Sequence, residues 1–400
     1  MKPHLYIVFV ILFFTSLKSF GADTTNVKNK SATSSLGFVF EPGRVLQTHP
    51  FVKGVNPEGE PYTKYFALTA KYGIHTGGRK LWQQLYNYPV WGGGLFYGNF
   101  KDSGELGTPF ALFMFLDIPF KRWEKWSING EVRFGMSFGW KTHYPYENGF
   151  QYTIGSFSTI FGDLGIKTVV HLSRHVDLSA GFGFTHFSNG SVKLPNYGLN
   201  MIAPKLGVKY IFNKRPEFIK TEKPIFKSEQ ELLVLFSPSY RQMAFGYHDE
   251  NNDSVVVAFD YMIFNLSSTY NYQISYKVKF GAGFDLSYNE AYGATLLLEN
   301  EIPEKAPWQF KDKVLFGVYP SFELVISKVS LILQPGFYLY RKKTDEGIET
   351  PATYQRIGIK YHFSDHWLGG VNVRAYDFTK ADFVEFNVGY RIKFKRGNLE

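Results

Sequence analysis

An all-β, antiparallel transmembrane barrel is the fold class this sequence predicts, and three observations predict it. Apolar and polar residues alternate with period two over long stretches, the spacing of a strand with one greasy face. Aromatic residues make up 18% of the chain, yet its mean hydropathy is only -0.19. Apolar surface is therefore plentiful, but beyond the first residues no uninterrupted apolar run is long enough for a spanning helix. The third observation is the N-terminus, which reads as an export signal. A soluble β-sandwich or barrel is the competing class. The charges on the second face of the strands argue against it, because a soluble barrel fills its interior with apolar groups.

Residues 1–21 carry the export signal. Lys2 gives the positive start, Leu5 to Phe14 form a short apolar core, and Ser19 and Gly21 are the small residues before cleavage at Ala22. Residues 22–35 are polar and read as a flexible start. The chain has no cysteine, which excludes disulfides, thiolate chemistry and an N-terminal lipid anchor on cysteine.

The barrel strands follow. Trp126, Ile128, Val132, Phe134, Met136, Phe138 and Trp140 share one face. Leu164, Ile166, Val170 and Leu172 form a second set, and Leu206, Val208, Tyr210 and Phe212 a third. Tyr272 to Tyr288 reads as one long strand with apolar residues at every even position. Ile357, Ile359, Tyr361 and Phe363 alternate with Arg356, Gly358, Lys360 and His362. The last strand sets Val384, Phe386, Val388, Tyr390, Ile392 and Phe394 against Glu385, Asn387, Gly389, Arg391 and Lys393. Lys, Arg, Asp and Glu among small residues fit a polar lumen inside a lipid-facing wall. In hydrocarbon the backbone has no water to bond, so the sheet must close.

The pattern gives about 14–16 strands in total. Residues 213–229, charged and holding two prolines, break it as a linker or long turn. They separate a first barrel region, 36–212, from a second, 230–394, followed by a tail, 395–400. One large barrel and two eight-stranded units both fit this division.

The net charge of +9 favours anionic partners such as lipid surfaces. No tight basic cluster carries a nucleic-acid motif, so nucleic acid is not an expected partner.

Catalytic residue types gather in one place, Thr185-His186-Phe187-Ser188-Asn189-Gly190. Leu178, Ala180, Phe182, Phe184, His186 and Ser188 share a strand face, so His186 and Ser188 point where the greasy residues point. That position is costly for polar groups unless it lies at the membrane rim and acts on something in the membrane. There His186 serves as general base to Ser188. Pro195, Asn196 and Gly198 make a turn, and Asn200, starting the next strand, returns beside His186 to hold its tautomer. Ordinary polar residues at a membrane rim give the same local pattern.

The block from His186 to Asn200 resembles the signature of the PagL family, the outer-membrane lipid A 3-O-deacylases. The resemblance covers residues 36–212. It implies an eight-stranded outer-membrane barrel that hydrolyses the 3-position acyl ester of lipid A at a lipid-facing site near the outer leaflet. His186 would be the base, Ser188 the nucleophile and Asn200 the third catalytic residue, with Asn189, Gly190 and Ser191 supporting the oxyanion. Where the family carries a glutamate, this chain carries Asn200, which accepts a hydrogen bond but brings no charge. The second half shows no such block. At the comparable place it has Arg374 and Asp377, and it reads as structural or substrate-guiding.

Other clusters read more simply. His143, Tyr144 and Glu147 are loop residues with an option of lining the acyl site. His248, Asp249, Glu250 and Asp253 lack the ligand order of a calcium loop and read as a solvated turn. Trp82, Tyr86, Tyr88, Trp91, Trp123 and Trp126 are candidates for an interfacial girdle. No spacing supports a metal site or a phosphate loop, and a serine esterase needs no cofactor. The expected protein is a serine esterase of the bacterial outer membrane. Its partners are lipid A or lipopolysaccharide and membrane lipids, with a second copy of the chain left open. The alternatives are a passive channel or transporter for hydrophobic compounds, or a structural barrel without chemistry.

Overall fold

A computed structural model describes residues 33–100, 104–299, 302–307, 309–341, 351–377 and 380–394. The export signal and nearly all of the polar start lie outside the described residues, as does the C-terminal tail.

The chain forms two closed barrels of eight antiparallel strands each, and this decides between the two architectures. The first contains β1 (Ser34–Val45), β2 (Lys64–His75), β3 (Val90–Asn99), β4 (Gly107–Arg122), β5 (Trp126–Trp140), β6 (Ser158–His171), β7 (Val176–Ser188) and β8 (Leu199–Ile211). Neighbours in sequence pair in order, and β1 closes on β8 with Phe38 opposite Val208. The second contains β9 (Glu229–His248), β10 (Ser254–Gln273), β11 (Val278–Asn289), β14 (Val314–Ile326), β15 (Val329–Tyr340), β16 (Thr353–His362), β17 (Trp367–Tyr376) and β18 (Lys380–Phe394). It closes between β18 and β9, with Tyr390 opposite Val234. A separate hairpin, β12 (Leu296–Glu299) and β13 (Ile302–Lys305), stands in the β11–β14 loop.

The expected single strand from Tyr272 to Tyr288 is two strands. β10 ends at Gln273, a turn occupies 274–277, and β11 begins at Val278. The turn holds no glycine or proline, and the alternation runs through it unbroken. Parity alone could not show that the chain reverses there.

The greasy faces point outward. Phe38, Leu68, Leu95, Leu112, Leu164, Phe182 and Leu206 are exposed on the first barrel, and Phe236, Leu266, Phe284, Ile357 and Val388 on the second. Short turns at 123–125, 172–175, 274–277, 327–328 and 363–366 lie at one end, and the long loops 46–63, 141–157 and 189–198 at the other. The long-loop end of such barrels is extracellular. Trp123 and Trp126 stack at 3.9 Å beside a short turn, half exposed, as an interfacial girdle requires. Tyr86 and Tyr88 do not join them. Both are buried, with Tyr88 stacked on Phe218 of the connector at 4.3 Å.

Ion pairs occupy both lumens, and a cavity of about 570 Å³ bordered by Lys279, His362 and Arg391 lies at the short-turn end of the second. In the first, Arg133 bonds Glu41 at 2.7 Å and Glu131 at 2.6 Å, Lys71 bonds Glu131 at 2.7 Å, and Lys205 bonds Asp163 at 2.6 Å. In the second, Arg356 bonds Glu385 at 2.7 Å and Asp285 at 3.0 Å, Arg374 bonds Glu385 at 2.8 Å, and Lys360 bonds Glu323 at 2.6 Å. Arg374 is fully buried among these carboxylates, a structural place within the second half. The expected polar lumen holds for only part of the first barrel. Its extracellular half is an aromatic core of Phe96, Phe113, Phe161, Phe187 and Trp140. A cavity of about 40 Å³ bordered by Lys71, Asp117, Lys167 and Asp177 lies within the charged half.

Paired charges in a closed space are costly to break, because removing one partner strands the other. Arg133→Met strips Glu41 of its 2.7 Å partner in a fully buried position. The expected loss is about 3–5 kcal/mol of stability. It is read as a lower temperature for the shift in gel migration when the barrel unfolds.

Candidate functional site

The site lies where β7 leaves the sheet at the long-loop end. On β7, Asp177, Thr185 and Phe187 point inward and are buried, while Leu178, Phe182 and Phe184 point outward and are exposed. His186 and Ser188 keep the outward parity. Phe187, between them, is fully buried and packs edge-on against Trp140 at 5.0 Å and tilted against Phe161 at 5.4 Å. The two outward residues therefore stand on a close-packed base, which limits backbone movement under them.

Asn200 comes from β8 and lies directly opposite His186 in the register. Its Oδ1 is 2.7 Å from His186 Nδ1. An amide oxygen only accepts, so Nδ1 carries the proton and Nε2 is left with a lone pair. The Asn200 amide nitrogen donates to Thr48 Oγ1 at 3.5 Å, in the β1–β2 loop.

Ser188 is buried, and its hydroxyl pairs with Asn196 rather than with His186. Ser188 Oγ lies 3.2 Å from Asn196 Oδ1 and 3.1 Å from Asn196 Nδ2, and it accepts the Gly190 amide at 3.1 Å. No hydrogen bond among the described residues joins His186 to Ser188. Asn196 also accepts the Asn189 amide at 3.0 Å. Its place in the turn was legible from Pro195, Asn196 and Gly198, but its bonds to Ser188 were not, because they depend on how the turn folds back.

Asn189 does not offer its side chain to a ligand. Its Nδ2 donates to Ser156 Oγ at 2.9 Å and to the Lys193 carbonyl at 2.7 Å, tying the β7–β8 loop to the β5–β6 loop. Gly190 and Ser191 follow with φ of +65° and +62°. With Val192 donating to the Asn189 carbonyl at 3.4 Å, they have the φ signs of a type I′ turn. Glycine takes this conformation freely and serine does not. Among the described residues the amides of Ser191, Lys193 and Asn196 in this loop bond no acceptor, and that of Ser191 follows Ser188 most closely in the chain.

The turn also presses on the histidine. Gly198 sits at φ +67°, and a Cβ there would stand 3.0 Å from His186 Cε1. Tyr197, beside it, stacks on His49 at 5.4 Å, and His49 Nε2 lies 3.3 Å from Thr153 Oγ1. His49 lies in a loop outside the strands, and burial pushes its pKa down from 6.5 to about 4. The packed loop thus holds it neutral, while the unpacked loop takes up a proton first as pH falls. Packing is fully stable above about pH 6.5 and weakens from there toward pH 4. Cleavage of the 46–63 loop by added protease should rise between pH 7 and pH 5, and a flat response would contradict this.

The other clusters are structural. His143 bonds the Glu105 carbonyl at 3.0 Å, contacts Glu147 at 3.3 Å and stacks on Tyr152 at 3.6 Å, which pins the β5–β6 loop. Asp249 accepts the amides of Asn251 and Asp253 at 3.0 and 2.8 Å, which makes the His248–Asp253 run a hydrogen-bonded turn.

Two family models match the chain. The one described as lipid A 3-O-deacylase (PagL) covers residues 67–209, and the one described as acyloxyacyl hydrolase, C-terminal domain, covers residues 233–395. The first match falls within the first barrel and the second on the second barrel. Among curated proteins nothing matches. Similar solved structures include the P. putida toluene transporter TodX, at 8% identity over 96% of this chain and 93% of that one, with a TM-score of 0.21. The translocator domain of the autotransporter NalP from Neisseria meningitidis is 9% identical over 98% of each chain, with a TM-score of 0.22. The siderophore receptor PirA from Acinetobacter baumannii is 9% identical over 92% of this chain and 74% of that one, with a TM-score of 0.23. Scores this low carry no argument about what the chain does. With its closed barrels and outward apolar bands, the protein is a bacterial outer-membrane protein in contact with membrane lipids.

Proposed function

We propose that the first barrel is a serine esterase that removes an ester-linked acyl chain from lipid A or a related glycolipid. The observation that carries this reading is the His186–Asn200 bond of 2.7 Å on the lipid-facing side, two residues from Ser188 on the same strand face. An acyl chain lying in the outer leaflet brings its ester carbonyl to that rim. Ser188 turns from Asn196 toward His186 Nε2, a rearrangement within the range that hydrolase sites make on binding. His186 takes the hydroxyl proton as Oγ attacks the carbonyl carbon. The tetrahedral oxyanion forms within reach of the Ser191 amide. Collapse breaks the bond to the sugar oxygen, which takes the proton from His186. Water then attacks the acyl-enzyme, its proton goes to His186, and the fatty acid leaves as Ser188 recovers its hydrogen.

Asn189 is assigned a different part from the expected one. Its side chain is spent on Ser156 and Lys193, so it shapes the loop and the backbone supplies the oxyanion donor.

A structural barrel without chemistry is the second reading. It is favoured by the Ser188–Asn196 pairing and by the neutral residue at 200. A transport role is a third reading: ion pairs cross much of each lumen, and a cavity of about 570 Å³ opens at the short-turn end of the second. Outer membranes carrying the wild-type chain should release fatty acid and leave lipid A lighter by one acyl chain, and Ser188→Ala membranes should not. Unchanged lipid A in both supports the structural reading, and ion conductance across a planar bilayer supports transport.

A further inference from the structure

The second barrel is not closed along its whole height. Backbone pairing between β18 and β9 runs from Phe394 opposite Gln230 up to Val388 opposite Phe236, and stops there. Above that point backbone pairing ceases and side chains cross instead, from Ser239 to the Val384 carbonyl and from Arg241 to Asp382. A strand edge left open at that height has unpaired backbone groups to satisfy.

The loop of the first barrel that follows Ser188 fills this gap. The Gln242 amide of β9 donates to the Ser191 carbonyl at 3.0 Å. Ser191 Oγ donates to the Ala381 carbonyl of β18 at 2.9 Å. One serine thus bridges both strands where their own pairing has ceased. The Gln242 side chain adds a third tie, with Oε1 accepting the Leu194 amide at 3.0 Å and Nε2 donating to Asp260 at 3.1 Å. Val384 shows how close the fit is. It has the outward parity of Val388 and Tyr390, which are 48% and 40% exposed, yet it is 2% exposed itself. Gly190 covers it, and a Cβ on Gly190 would stand 2.2 Å from Val384 Cγ2.

Ser191 holds a left-handed conformation that serine rarely adopts, and its amide bonds no acceptor among the described residues. A backbone in such a conformation persists where its surroundings over-determine it. Here the surroundings are the second barrel: its strands take the Ser191 carbonyl and hydroxyl, and Gln242 fixes the loop again at Leu194.

We propose that Gln242 is a positioning residue for the ester hydrolysis, and that the second barrel serves the first by clamping residues 190–194 so that the Ser191 amide faces the developing oxyanion. This rests on the proposed function above. A donor aimed at the oxyanion acts on the transition state and little on the bound substrate. Gln242→Ala in the full chain, assayed on lipid A in mixed micelles, should therefore lower kcat about 10- to 100-fold and leave KM within about twofold. Amide exchange at Leu194, whose acceptor is the Gln242 side chain, should quicken in the same variant, whether or not it is catalytically active.

Rescue distinguishes positioning from general damage. Gln242→Glu combined with Asp260→Asn keeps an acceptor for Leu194 and restores a donor between the two side chains, so it should recover most of the lost kcat. Gly190→Ala should be slow, and Val384→Ala added to it should recover part of the rate, because the obstruction lies on the second barrel. A wild-type chain that frees no fatty acid overturns the proposed function and this inference together. An active wild-type chain, silenced by Ser188→Ala but indifferent to Gln242→Ala, overturns the inference alone. So does a Gln242→Ala loss that tracks the unfolded fraction and is not recovered by the double variant.

Discussion

Ser188→Ala ends fatty acid release, with a fall in kcat of about 10⁴-fold or more and little change in the folded amount. The size follows from the chemistry. With no hydroxyl there is no acyl-enzyme, and only binding and the oxyanion donors remain to speed attack by water. The fold should tolerate the change. Ser188 Oγ accepts one amide, from Gly190, and pairs with one side chain, Asn196. Asn196 keeps the Asn189 amide at 3.0 Å, and its turn keeps its own bonds. The measurement is lipid A mass together with free fatty acid, with heat-modified migration as the control for folding. Residual release above about a hundredth of wild type would move the nucleophile elsewhere.

Asn200→Asp has the second largest expected effect, and it is a gain. Asp is nearly isosteric with Asn, so an oxygen can stay 2.7 Å from His186 Nδ1 and keep the same tautomer. The substitution adds a charge that favours imidazolium, the form His186 takes during attack. The expected rise in kcat is about tenfold or more. The pH profile gives the sign. The reaction needs neutral His186, and a neighbouring carboxylate raises the pH at which the ring protonates. The acid limb of kcat/KM therefore moves to higher pH in the variant while the plateau rises. Asn200→Ala removes the acceptor and should lower the plateau. A plateau unmoved by either change would mean that His186 is not the base.

Much of this was legible in the sequence because strand parity is a local property. Trp126 to Phe138 keep the expected face on β5, but Trp140, expected on that face too, is turned into the lumen core after Gly139 at φ +86°. His186 and Ser188 face outward because they are an even number of residues from Phe182 and Phe184. Asn200 could be placed beside His186 because a hairpin turn lies between them. Parity was also where sequence reasoning stopped. It carried straight through the turn at 274–277, since a reversal with no glycine or proline leaves the alternation intact. It could not show that Asn196 folds back onto Ser188, or that Asn189 turns its side chain away from the site.

The sequence by itself determined which residues share a face, that one face is greasy, and that His186 and Ser188 have the parity of that face near a strand end. Tertiary structure alone decided that there are two barrels, which lumen half is charged and which is aromatic, and that the loop after Ser188 is held by β9 and β18 of the other barrel. Alternation is set by the pleat of a single strand and is written in consecutive residues. Closure, lumen packing and the Ser191 bridge join residues far apart along the chain, such as Ser191 and Ala381, whose meeting depends on the shape of both sheets.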